Sequence, residues 1–312
     1  MTSWQQAPTK WPGTVEDTKL KEQPENNRGK PTSHATKPSL PNKIINMTMG
    51  KPIPGNLASL IDGIRWPLDP ESCPPLYMKR LEQMREIREQ NPLPSTNPLA
   101  QAMAMDVLGT VQKLAGPPCH QKGEDQIHYA RIATALLLLG HQYTDEAHSL
   151  VSPLTWTQPT PFGYGPPVQT SDSVSAVGSY VHALIHRREA FHESEFQMTG
   201  FGNAHFWASS TTRGPQVESL PLPTIRKTAY EIASRYPDST KLQNWFKSTL
   251  EANVDGWEPR LVHDLCAHVM LQEDDEILRD FAERVAEAEV RVLLGHVLRK
   301  LGFAIHDCLR KE

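Results

Sequence analysis

Cysteine is scarce in this chain: Cys73, Cys119, Cys266 and Cys308 stand far apart in 312 residues, and no two form a CxxC pair. Such sparse cysteines exclude a disulfide-stapled scaffold, and without paired ones a zinc ribbon or a redox dithiol is excluded too. A reducing compartment, cytoplasmic or nuclear, is expected. Long apolar runs are also missing. The first thirty residues hold no stretch of the sort that begins a secretory leader, and the longest run elsewhere, around Leu136–Leu139, falls far short of the ~20 residues a bilayer requires. Neither signal peptide nor membrane span is expected, so the sequon at Asn46-Met47-Thr48 reads as chance. There is no basic excess: a net charge of -4 and a pI near 6.4 argue against a nucleic-acid partner. Sustained period-two alternation, the mark of strands, is absent. So are a Walker loop, a nucleophile elbow, a Rossmann fingerprint and a kinase signature.

What the chain does contain is proline, 27 residues of it, more than a helical fold places inside its elements. Residues 1–55 are rich in Pro, Lys, Asn, Thr and Ser and lack an apolar period, so they are expected to form a disordered tail. The tail holds 8 Lys/Arg against 4 Asp/Glu, a net +4 that leaves -8 for the rest. Residues 56–312 are expected to form one all-α domain, an irregular multi-helix bundle with helical hairpins, large enough to bury its own core.

Helical periodicity begins at "PLYMKRLEQMREIREQ". The next segment, "TNPLAQAMAMDVLGTVQKLAG", has an Asn-Pro start and a Gly stop. "EDQIHYARIATALLLLG" and "YTDEAHSLVSPL" then form a hairpin around Gly140-His141, similar to a single tetratricopeptide-like unit. The proline-rich stretch from Ser152 to Ser173 reads as a loop, ordered because Trp156, Phe162 and Tyr164 supply packing area. A further helix opens at Ser171-Asp172, with a side-chain cap available. Later helices are "TIRKTAYEIASRYP", "STKLQNWFKSTL", "WEPRLVHDLCAHVML" and "DDEILRDFAERVAEAEVRVLLGHVLRKLG"; the last has acids first and bases last, as the helix dipole favours.

The densest chemistry lies in "YVHALIHRREAFHESEFQMTGFGNAHFW", residues 180–207. On a helical wheel Val174, Val177, Val181, Leu184 and Ile185 share one arc, and His182, His186, Glu189 and Glu193 form a stripe beside it. Two imidazoles four residues apart can share a divalent metal, with Glu189 as an oxygen ligand. Position 183 is Ala, however, so the HExxH general base is missing, and further ligands would have to come from elsewhere, with His205, His192 and Glu195 nearest in sequence. Without a metal, the same face makes a pocket for a small, anionic molecule. There His182 or His186 acts as acid or base, Glu189 orients it, Arg187 binds the anion, and Asn203 and Trp207 close the site. In "GFGNAHFW" the glycines are expected to free a turn and Asn203 to cap a new helix. A competing reading makes the stretch interhelical polar packing in an interaction scaffold that meets protein partners through its helical surface or tail, with Arg187 and Arg188 solvated.

The pattern His182-x3-His186-Arg187-x-Glu189, then Gly200-x-x-Asn203-Ala204-x-x-Trp207, resembles that of a group of helical proteins with no established activity. The likeness covers about a quarter of the chain, Ala130 to Trp207. In many of that group Gly-Asp follows the Glu, where this chain has Ala190-Phe191, and "HESEFQMT" here reads as an insertion. The "NAHFW" ending resembles the start of a Sel1-type repeat. Two other clusters carry less. In "HDLCAH", His263 and Cys266 share a face but His268 does not, which favours a buried Cys over a zinc site. "EDDEILRD" has Leu278 where an aspartate-rich magnesium motif needs Asp.

Overall fold

The computed structural model describes residues 55–66, 98–116, 123–158, 164–192, 197–212, 220–246, 259–271 and 275–304. All lie within one compact unit, Thr48–Glu312. The expected tail and the helix expected over "PLYMKRLEQMREIREQ" lie outside the described residues. Those described form ten α-helices and no strand, so the all-α reading holds: α1 (Gly55–Asp62), α2 (Pro98–Ala115), α3 (Gly123–Gly140), α4 (Thr144–Thr155), α5 (Asp172–His192), α6 (Gln197–Thr212), α7 (Leu222–Ala233), α8 (Thr240–Phe246), α9 (Arg260–Leu271) and α10 (Glu276–Lys300). Among them, no helix is long and apolar enough to cross a membrane.

Local chemistry sets several boundaries. The α2 helix starts at the Pro of Asn-Pro and stops at Gly116, whose φ of 83° favours a residue without Cβ. Ser171 caps α5, its Oγ accepting from the Val174 N–H at 3.4 Å, and Asp275 caps α10 by accepting from Leu278 N–H at 3.0 Å. In α4 the helix runs one turn past Ser152, where the loop was expected to begin. Pro153 lacks the N–H that would bond to the Ser149 carbonyl, and the Tyr164 N–H supplies that bond at 3.0 Å. The Val168 N–H donates to the Pro153 carbonyl at 2.9 Å. Two backbone bonds thus stitch the proline-rich loop onto α4, as the aromatic residues in it suggested.

The core is centred on α3, α5 and α10. Leu136–Leu139 are all buried, so the second half of α3 is enclosed on every side, and each leucine contributes roughly 1.5–3 kcal/mol of transfer free energy. The α5 helix packs on α3, α4 and α6; α10 packs on α3, α7 and α9. The segment after α1 crosses the α3–α4 hairpin at Gly140, where a Cβ would stand 2.8 Å from Ile64. It is pinned by Arg65 N–H to the Gly140 carbonyl (3.0 Å), by His141 Nε2 to the Leu60 carbonyl (3.0 Å), and by Arg291, which donates to the Ile61 and Ile64 carbonyls at 2.8 and 2.9 Å. Arg291 therefore caps the carboxyl end of α1 from 230 residues away.

Candidate metal centre

The α5 helix was expected to expose a polar stripe beside an apolar arc, but residues 177–188 are buried all round. Every polar side chain in that stretch therefore needs a partner inside the protein, because a buried group without one costs ~1–3 kcal/mol. Two networks engage Tyr180, His182, His186, Arg187 and Arg188.

The first network is structural. Arg187 and Arg188 are fully buried, contrary to the solvated reading, and both guanidinium groups lie over the Trp66 ring, at 5.1 and 5.5 Å from its centroid. Arg187 Nη2 donates to Glu289 Oε2 at 2.6 Å, and the Tyr180 hydroxyl donates to Glu289 Oε1 at 2.6 Å. Arg187 Nη1 faces His263 Nδ1 at 3.4 Å, and burial, with the arginine beside it, holds that imidazole well below its usual pKa. The arginine expected to bind an anionic substrate instead ties α5 to α10, and the structure does not bring it to His182 and His186. Cys266, also in this region, is buried, and burial pushes its thiol up to about 12, so it is an inert core residue.

The second network gathers three imidazoles. His182 and His186 on α5 are joined by His148 on α4, and the ligating atoms of the three lie within 4.8 Å of one another. His148 Nε2 is 2.8 Å from His182 Nε2, a hydrogen bond in which one nitrogen carries the proton. The rings of His182 and His186 stack at 4.8 Å and 16°, as an i,i+4 spacing allows, and His148 meets both edge-on at 4.8 and 5.1 Å. Outer partners hold two of the rings. His182 Nδ1 is 2.8 Å from Thr155 Oγ1, and His186 Nδ1 donates to Glu189 Oε2 at 2.6 Å. Trp207 on α6 stacks on the free face of His182 at 4.2 Å and 13°, and Trp156 sits edge-on to both.

Burial drives His148 down to about 4, with Glu189 pulling upward and His186 lowering it further. Burial, then the two neighbouring imidazoles, holds His182 well below its usual value. At neutral pH both rings are uncharged and keep a lone pair, the form in which imidazole binds a metal.

The donor set fits a divalent transition ion. Tetrahedral zinc with Zn–N of ~2.0–2.1 Å places ligand nitrogens ~3.3 Å apart, within the 4.8 Å spread of the cluster, and the stacked rings of His182 and His186 would turn towards each other to share it. With Nδ1–H of His182 donating to Thr155 and Nδ1–H of His186 donating to Glu189, both Nε2 atoms keep a lone pair, the second-layer pattern typical of metal-bound histidines.

Of the residues singled out in the sequence, His182, His186 and Trp207 come together. Glu189 stands one bond outside, orienting His186 and not joining the ligand group. Asn203 is half-buried in the middle of α6 and hydrogen-bonds none of the three imidazoles. His205 bonds Asp264 on the surface at 2.7 Å, so it is not the third ligand; the side chains of His192, Glu193 and Glu195 lie outside the described ones. His148 was missed. Its signal is the one that marked His182, a histidine bordering an apolar arc, here Ala147, Leu150, Val151 and Leu154 of "YTDEAHSLVSPL".

The glycine-rich stretch also differs from expectation. The α6 helix runs unbroken through Gly200 and Gly202, and Asn203 caps nothing. Gly200 is there for contact: a Cβ on it would lie 2.7 Å from Ala190 Cβ, 2.8 Å from its Cα and 2.9 Å from its N. Seven residues along each antiparallel helix, Ala183 meets Trp207 in the same register. The Gly200–Ala190 contact thereby sets the height at which Trp207 covers His182.

No family model, curated protein or solved structure matches this chain.

Proposed function

We propose that the protein is a metalloprotein whose His148, His182 and His186 bind one divalent transition ion of the zinc class, with Glu189 and Thr155 as the outer residues that orient two of them. The observation that carries this reading is the convergence of three imidazoles from two helices, their ligating nitrogens within 4.8 Å of one another and the Nδ1 atoms of His182 and His186 bonded to Thr155 and Glu189. Such an ion supplies Lewis acidity and, with a bound water, a hydroxide near neutral pH. The chain's own residues present neutral ligands, shelter them beneath Trp207 and Trp156, and fix the tautomers.

Elemental analysis of protein prepared without chelator, followed by zinc or cobalt titration of the stripped protein, tests the reading. One ion per chain is expected, lost in His148→Ala and His182→Ala and retained in His205→Ala. Metal at 100 times its Kd should stabilise the fold by ~2.7 kcal/mol. No binding in the wild-type chain ends the proposal.

A second reading is favoured by the 2.8 Å His148–His182 bond, which by itself satisfies two buried polar groups. On that reading the histidines are interhelical packing in a scaffold, and stability is the same with and without chelator.

A further inference from the structure

Taken with the metal assignment above, on which this depends, we infer that the centre keeps one exchangeable coordination position and that this position takes a small monoanion, of azide or hydroxide size, and excludes phosphate and other multiply charged anions.

Ligand count comes first. Among the described residues the cluster offers three protein donors, all imidazole nitrogens, and the nearby carboxylate of Glu189 is committed to His186 Nδ1 at 2.6 Å. A tetrahedral ion held by three protein ligands has a fourth position for solvent or substrate, which separates catalytic from structural sites.

Charge comes next. Three neutral ligands leave the ion at +2, and the Glu189 carboxylate one bond away offsets one unit. The remaining single positive charge matches a monoanion. A phosphate would need additional cations, and the guanidinium groups nearest in sequence lie elsewhere: Arg187 is paired with Glu289, and Arg187 and Arg188 both stand over the Trp66 ring.

Shape and access agree. His182 is sandwiched between His186 at 4.8 Å and Trp207 at 4.2 Å, which leaves its edge and no broad face to a ligand. The side chains of His186 and Glu189 are 11% and 31% exposed, so the centre opens at that end of α5 and closes at the tryptophans. In the closed wall the buried indole N–H of Trp156, edge-on to His182, has no acceptor among the described residues. It is a donor available to a ligand that carries a lone pair and no bulk.

Cobalt(II) loaded into the stripped full-length protein reports on this through its visible absorption. The starting spectrum, and its loss in His148→Ala, establishes that metal sits at the cluster; if no such spectrum forms, the metal assignment itself has failed. On the loaded protein, azide and thiocyanate should each produce a saturable spectral shift, and inorganic phosphate at the same concentrations should produce none. A cobalt spectrum untouched by azide would show a closed centre and overturn the inference. A shift with phosphate matching that with azide would overturn the monoanion class.

Discussion

Gly200 and Gly202 stand two residues apart on one helix, and replacing each with alanine should change stability in opposite directions. In a helix interior Gly→Ala gains ~0.8–1.0 kcal/mol by restricting the unfolded chain. Gly202 is exposed and a Cβ there meets nothing within 4 Å, so Gly202→Ala should realise that gain in full. At Gly200 the added Cβ would lie 2.7–2.9 Å from three atoms of Ala190, two of them backbone, and no side-chain rotation relieves the clash. Forcing the helices apart costs ~1–3 kcal/mol by the usual measure of overpacking, and rigid obstruction places this site at the upper end. Net of the propensity gain, Gly200→Ala should lose ~2 kcal/mol, a spread of ~3 kcal/mol between two chemically identical substitutions. Urea denaturation followed by circular dichroism at constant m-value reads both. If Gly202→Ala destabilises, the chain turns there and α6 is not continuous. If Gly200→Ala stabilises as much as Gly202→Ala, the close approach that seats Trp207 over His182 does not exist.

Two further outcomes follow from the buried charges. Glu289→Leu strands the Arg187 guanidinium and the Tyr180 hydroxyl in the core and should cost at least ~3–5 kcal/mol, whereas Arg187→Leu/Glu289→Leu should recover most of it; equal losses for single and double variants in urea melts would show that the pair is not coupled. His296 is pushed down to about 4 by burial, then by Lys300 and Arg299, so its folded value lies below the unfolded 6.5. The unfolded chain therefore binds more protons between those values, and the stability associated with His296 is present above pH 6.5 and lost as pH falls to about 4. His296→Leu should flatten the stability profile across that interval, and an unchanged slope would refute the shift.

The legibility of this chain divides by the distance over which the determining forces act. Caps and stops are local: Asn-Pro and Gly116 around α2, Ser171 before α5 and Asp275 before α10 act within a turn of their helices; the first three were read as such, and Asp275 was read as an acid suited to the helix dipole. Apolar periodicity reported that Val174, Val177, Val181, Leu184 and Ile185 face the core, and all five are buried. It could not report that the opposite side of α5 is buried as well, because Arg187 and Arg188 look like solvated residues until Trp66 and Glu289 are brought to them. The same limit explains Gly200. Its local preference is for a turn, and only contact with Ala190 makes the missing side chain a packing requirement inside a helix.

The site was half visible for a related reason. Spacing along one helix displays the ligands that helix contributes, so His182 and His186 stood out, but a metal needs donors that converge from elements whose separation in sequence is arbitrary. His148 arrives from 34 residues upstream because α4 is held against α5, its proline-interrupted last turn repaired by the Tyr164 N–H and its loop tied at Val168. The same turn delivers Thr155 to His182 Nδ1 and Trp156 to the aromatic wall. A helix that extends one turn beyond a proline, where sequence alone ends it, therefore supplies an outer hydrogen bond and a wall residue to the centre. Shortening it at Ser152, as local propensity favours, would leave His182 without its orienting hydroxyl. The proline-rich loop that looked like mere connection is in this sense part of the candidate site.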